Sequence, residues 1–418
     1  MKKTMVAILA AAVVIGLAGC AGGGTSSNAS GAKVQLTFWH GYTEADGKVL
    51  NQLVGEFNKS QSDVEITPVT KPWGTLLDTV LPALSSHNGP QILALPPENI
   101  PTYAQKKAIQ PVEDWYSASG SGAANLNTQA VATGEVGGKR YGMPLSFTPL
   151  TMFYNKTMFD KAGISVPTTW DQWVTAARAL TIDSNGDGTP EQYGLALQDN
   201  QTVGNGVWAS LFKSGGGDVV KNGKSVVDSS QNVSTLTFWA NAVKNYKISP
   251  TGVTGANADG LFSSGKVAMT LGGPWLATVS QAAGIQYGIA PLPAGPAGIK
   301  ASALAVDMTV TAQASTKEKA AAEKFFTWFY QHKNMVTWSL GSGWPALTTN
   351  VTSSQVSSNP VVAALTPQSK YGVALLPGIS QTTSVLTDLD TATQKALTGG
   401  DPATLLNAAQ TAMNSTLQ

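Results

Sequence analysis

Four tryptophans stand at turns near glycine or proline: Trp39 in Phe38-Trp39-His40-Gly41, Trp73 in Lys71-Pro72-Trp73-Gly74, Trp275 in Gly273-Pro274-Trp275 and Trp344 in Gly343-Trp344-Pro345. An indole at a strand or loop end is freer to face a cleft than one inside a helical stripe. Flat rings cover patches of C–H groups, while amides and carboxylates bond hydroxyls, so this mixture suits an uncharged, hydroxyl-rich ligand such as an oligosaccharide. Trp208 is a further ligand-facing candidate. Trp170, Trp173, Trp328 and Trp338, which complete helical patterns among the eleven tryptophans, are read as core.

Other chemistries find little support. The three histidines, His40, His87 and His332, form no H-E-x-x-H pair, and no G-x-S-x-G elbow is present. Gly260 to Lys266 begins like a phosphate-binding loop, but Val267 stands where a hydroxyl should hold magnesium. No pair of carboxylates is singled out as a glycosidase couple, and a surface-attached glycan hydrolase is the alternative to a binding protein. Asp183, Asn185, Asp187 and Glu191 carry oxygens at positions 1, 3, 5 and 9 of an EF-hand-like run with Gly188 at position 6, but Gly194 replaces the bidentate glutamate of position 12. A structural calcium ion is the possible role of that loop and a plain Asx/Gly turn the other; no cofactor is otherwise required.

The N-terminus carries an address. Lys2 and Lys3 precede an apolar run from Met5 to Leu17, and Leu17-Ala18-Gly19 leads to Cys20, the only cysteine. This resembles the bacterial lipoprotein signal, which implies cleavage before Cys20 and lipid on its sulfur. Residues 1–19 are then a signal peptide and 20–32 a flexible Gly/Ser/Ala tether, with a reach of roughly 20 Å. The expected location is the extracellular face of the cytoplasmic membrane, held by lipid. Loss of Lys2 and Lys3 from 26 basic residues leaves 24 against 25 acidic ones, so nothing steers the mature chain toward nucleic acid.

The elements that must position these groups follow from periodicity. Val34, Leu36 and Phe38 alternate with polar neighbours as in a strand; Thr43 with Asp46 reads as a capping pair before a helical stripe of Val49, Leu50, Leu53, Val54 and Phe57. Val64 to Val69 and Ile92 to Leu95 read as strands around a helix with Leu76, Val80 and Leu84. Such alternation implies a parallel sheet flanked by helices, whose ligands bind beyond the carboxyl ends of the strands. That rule points at Trp39-His40-Gly41-Tyr42 after the first strand and Pro96-Pro97-Glu98-Asn99 after the third, and Asp199, Asn200 and Gln201 lie beyond Leu195 to Leu197; Trp39, His40, Glu98, Asn99 and Asn200 are the candidate contacts.

From Tyr141 onward the succession Tyr141-Gly-Met-Pro144, Met152-Phe-Tyr-Asn-Lys-Thr-Met-Phe159, Pro167-Thr-Thr-Trp-Asp-Gln-Trp173, Gly265-Lys-Val-Ala-Met269, Gly272-Gly-Pro-Trp275 and Gly288-Ile-Ala-Pro-Leu-Pro293 resembles the sugar-binding lipoproteins of ABC importers, the cluster that includes the maltose-binding protein. The resemblance implies an α/β, two-lobed periplasmic-binding-protein-like fold, each lobe a mostly parallel sheet flanked by helices, with strands crossing between lobes. Crossings are implied near Leu145 to Leu150, Ala301 to Asp307 and Gly343 to Leu347, giving an N-terminal lobe of 33–146 plus 304–344 and a C-terminal lobe of 147–303 plus 345–418. Phe147, beside the first crossing, is then a candidate aromatic floor, and Asp307, after the second, a candidate polar contact. An oligosaccharide ligand, the transmembrane permease subunits of an importer and a monomeric state are likewise implied.

Overall fold

The computed structural model describes residues 33–200, 206–374, 376 and 379–418, so the expected signal, the tether and Cys20 lie outside the described residues. Strand β1 (Val34–His40) alternates partly exposed and buried residues, as its sequence pattern requires. Helix α1 (Ala45–Ser60) follows and buries Leu50, Leu53, Val54 and Phe57. The expected Thr43/Asp46 cap is not formed: Glu44 occupies the N-cap without a side-chain bond, and Asp46 is engaged elsewhere. Strand β2 (Val64–Thr70) and strand β3 (Ile92–Leu95), separated by α2 (Trp73–Ser85), both pair with β1 in parallel. Strand β3 is apolar and buried along its length, as a strand covered on both faces must be.

Next come the short helices α3 (Ile100–Gln105) and α4 (Thr128–Thr133), then strand β4 (Gly142–Pro149), buried from end to end. One residue separates β4 from β5 (Thr151–Asn155), so a single extended run leads from a seven-stranded sheet into a three-stranded one. The return passage is β8 (Ala301–Thr311), which follows β6 (Met269–Gly272) and β7 (Tyr287–Pro291) of the smaller sheet. Along its length β8 pairs antiparallel with both β4 and β3, and the β4 ladder shifts register between Val306 and Asp307. The larger sheet is therefore mixed.

The smaller sheet departs from the expected parallel pattern, because β6 and β7 both run antiparallel to β5. Its parallel partners, Tyr193 to Val267 and Ala196 to Thr270, are isolated bridges too short to form strands. Around it stand α5 (Trp170–Leu180), α6 (Val207–Ser214), α7 (Gly255–Ser263) and α8 (Pro274–Ala282). Helix α9 (His332–Ser342) returns to pack on α1, and Gly343, at φ 81°, ends it in the left-handed conformation before Trp344. Contacts hold 33–418 together as one unit, as expected where the chain runs directly from one sheet into the other. Among the described residues no helix is long and apolar enough to cross a membrane.

Candidate functional site

Beyond the carboxyl ends of β1 and β2 the rings gather into a strip. The Trp73 indole lies against Gly41 so closely that a β-carbon there would stand 2.0 to 2.3 Å from Cδ2, Cε2 and Cε3 of the ring. Only glycine allows the approach. Tyr42 meets Trp73 edge-on at 5.5 Å between centroids and Trp344 at 6.4 Å. The Tyr42 hydroxyl donates to Ser146 Oγ of β4 at 2.6 Å, and burial lifts its phenol well above the usual range. Trp344 in turn lies 6.4 Å from Trp275 at an interplanar angle of 42°.

Trp275 is seated in the same manner as Trp73. Its ring folds over Gly273, where a β-carbon would come within 2.3 Å of Cζ3, and its Nε1–H donates to Asp259 Oδ2 of α7 at 3.0 Å. Burial pushes the Asp259 carboxyl up to about 6. On the other side Trp344 Nε1–H donates to Asp46 Oδ2 at 3.4 Å, and burial raises that carboxyl too. Trp73 and Trp275 keep part of their surface, whereas Tyr42 and Trp344 are buried. The strip Trp73–Tyr42–Trp344–Trp275 thus joins residues of the first strand end to the first turn of α8, beside the smaller sheet.

A second, polar group lies beyond β3. Pro97, Glu98, Thr133, Ala303 and Leu376 line a cavity of about 30 Å³. Glu98 keeps some surface, yet its confined setting pushes the carboxyl up to about 7. Asp307, at the register shift of β8, is fully buried; its Oδ2 accepts from Thr133 Oγ1 at 3.0 Å and its Oδ1 has no partner. Burial without an adequate donor set raises this carboxyl to about 8. Phe147 pairs with Ala305 across the crossing strands and packs beneath Gly372, whose β-carbon would meet its Cζ at 3.0 Å. It is therefore covered here, not an open floor. Asn99 caps α3 by position without a side-chain cap bond and is half-buried.

Other expected contacts lie outside the strip. His40 is fully buried, because period two in β1 puts it on the same face as Phe38, under α1. Its Nε2 meets Asn51 Oδ1 at 3.0 Å and Thr70 Oγ1 at 3.3 Å, and burial lowers its pKa. Trp39 faces the opposite way, with the Lys71 ammonium 4.1 Å from its ring centroid. Trp208 is core: its N–H donates to the Gln198 carbonyl at 3.1 Å and its ring packs against Phe212. Asn200 is half-buried with its backbone N–H on the Val253 carbonyl.

Of the two readings of the 183–191 loop, the calcium site finds no support. Asp183 accepts from the N–H groups of Gly186 and Gly188, Asn185 from Asp187, Asp187 from Thr189, and Glu191 from Ser184, all at 2.8 to 2.9 Å. The oxygens close a set of Asx turns on the loop's own backbone. Among the described residues no group of three or more His, Cys, Asp or Glu side chains is arranged to hold a metal ion.

The strand-end rule reaches Gly41 and Tyr42 and the motif succession includes Gly273, but none of the three is named as a ligand contact; Asp259 is given no role, and Asp46 is read as a cap. Aromatics flanked by glycine, as in His40-Gly41-Tyr42 and Gly272-Gly273-Pro274-Trp275, are a usable signal, since a ring can lie on backbone only where no β-carbon intervenes. The carboxylates left no such trace.

The fold has counterparts. The galactooligosaccharide-binding protein of Bacillus subtilis (strain 168) is 26% identical over 430 aligned positions, covering 98% of this chain and 96% of that protein. The GacH receptor of Streptomyces glaucescens GLA.O superposes with a TM-score of 0.79 at 23% identity, over 92% of this chain and 98% of that one. The maltose/maltodextrin-binding domain MalE from Bdellovibrio bacteriovorus, solved bound to maltotriose, gives 0.77 at 20% identity, over 92% and 99%. These likenesses establish the two-lobed periplasmic-binding-protein fold, to which the run from β4 into β5 and the return through β8 conform. Residues 40–336, from the end of β1 into α9, match the family described as bacterial extracellular solute-binding protein, and the chain belongs to that family.

Proposed function

We propose that this solute-binding protein captures a neutral oligosaccharide between its lobes, 33–146 with 304–344 and 147–303 with 345–418, and delivers it to the permease subunits of an ABC importer. The strip Trp73–Tyr42–Trp344–Trp275 carries the reading. It continues from the ends of β1 and β2 to α8, and glycine backs one face of each of its two partly exposed rings. Rings so seated offer a flat face to the C–H side of a sugar. Glu98 and Asn99 lie beyond the neighbouring strand as hydroxyl partners, and Asp307 stands behind them on the crossing strand. The named ligands of the similar proteins, galactooligosaccharide and maltotriose, are of this chemical class.

Contacts from both lobes stabilise the closed form more than the open one, and that difference shifts the population the permease meets. The Lys2-to-Cys20 leader supports a tether by lipid on Cys20 at the outer face of the cytoplasmic membrane, where the protein acts as a monomer. Calorimetric titration of residues 33–418 with maltooligosaccharides and galactooligosaccharides tests the proposal. Saturable heat at one site, with the sugar recovered unchanged, is the expected result. Heat with peptides or polyamines and none with sugars would overturn it.

A further inference from the structure

Among the described residues two indole N–H groups donate to a carboxylate, Trp344 to Asp46 and Trp275 to Asp259, and both belong to the strip. Burying a carboxyl is unfavourable, and one indole N–H returns only part of that loss. Packing alone suffices elsewhere in this protein: the Trp239 ring is fully buried and its Nε1 has no partner. An aspartate at position 259 is therefore not needed to bury Trp275. What it does is geometric. Asp259 sits on α7 and Trp275 on α8, so the bond joins two elements, while Gly273 backs one face of the ring. With one face on backbone and the N–H edge taken, the opposite face is what remains to offer.

We propose that Asp259 is a positioning residue that fixes the rotation of the Trp275 ring, so that the strip presents an indole face to a saccharide and withholds the indole N–H from its hydroxyls. The proposal rests on the reading of Trp275 as part of the ligand wall. It assigns Trp275 to recognition of a sugar's C–H face and leaves hydroxyl recognition to groups such as Glu98 and Asn99.

The test uses residues 33–418 labelled with ¹⁵N at the tryptophan indoles, the Trp275 signal being identified by its loss in Trp275→Phe. Asp259→Asn keeps an acceptor oxygen, and Asp259→Ala removes it. Wild type and Asp259→Asn should show one Trp275 N–H signal in slow exchange with water, and Asp259→Ala exchange faster by about 10-fold or more. Affinity for maltotriose or galactotriose should fall about 5- to 20-fold in Asp259→Ala and stay within about 2-fold in Asp259→Asn. If Asp259→Ala does not fold, Asp259→Ser, too short to reach the indole, takes its place. Unchanged exchange in the shortened variant overturns the proposal. Should neither trisaccharide bind the wild type while the exchange difference persists, the oligosaccharide reading fails and the positioning role stands.

Discussion

Two tryptophan clusters in this protein use the same side chain for opposite ends. In the helical region Trp170, Trp173 and Trp239 meet at 5.0 to 5.5 Å, with Phe238 stacked on Trp170, and the N–H of all three indoles has no partner. In the strip, Trp275 donates to the partly buried carboxyl of Asp259 and Trp344 to the buried one of Asp46, and Trp73 and Trp275 lie on glycine. The first cluster tolerates unpaired donors because its value lies in apolar area removed from water. The second gives up some of that area and accepts buried carboxyls in return for a defined ring orientation. Stability and recognition thus leave different marks on one residue type.

The contrast is broken most directly by truncating one ring from each cluster. Trp239→Ala should lower unfolding stability by about 3–5 kcal/mol, read in urea melts. Trp275→Ala should move those melts far less and weaken trisaccharide binding by about 10-fold or more in calorimetry. The reverse pattern would place Trp275 in the core. Gly41→Ala comes next. Its β-carbon must displace the Trp73 ring, and a loss of about 1–3 kcal/mol in stability, with weaker sugar binding, is expected from the paired melts and titrations.

Asp307 sharpens the comparison, since its carboxyl is buried without an indole donor and its pKa is raised to about 8. Between about pH 4, where the unfolded chain ionises, and the folded value, unfolding releases a proton. Stability therefore falls as pH rises through that window and levels off above it. Asp307→Asn should flatten the profile and add about 1–3 kcal/mol at pH 8, measured by urea unfolding at pH 5, 7 and 9. The smallest effect is expected at the Asp183–Glu191 loop, whose oxygens already accept backbone N–H groups. Addition of a chelator or of millimolar calcium should leave Tm within about 1 °C.

Much of the frame was legible beforehand. Period-two alternation marked β1, the apolar run marked β3, and the stripe of Leu50, Leu53, Val54 and Phe57 marked α1, because burial periodicity is a local property. The antiparallel pairing of β5 with β6 and β7 was not, since strand direction within a sheet depends on connections that no local pattern records. For the site, the rule of strand ends pointed at the end of β1, where the ring strip begins, without saying which side chains face one another. Of Trp39, His40, Gly41 and Tyr42, to which it pointed, the last two join the strip, while His40 is buried under α1 and Trp39 faces the other way.

The sequence by itself determined an α/β alternation, a charge balance near neutral that steers nothing toward nucleic acid, and tryptophans beside glycines where a ring can lie on backbone. Only the tertiary structure decided which of those rings meet. Asp46 reaches Trp344 across nearly three hundred residues of chain, and Asp259 reaches Trp275 from the neighbouring helix. Contact between such groups depends on how β4 and β8 bring distant segments together. A pleat or a helical turn sets direction over a few residues, and the docking of whole elements sets everything beyond.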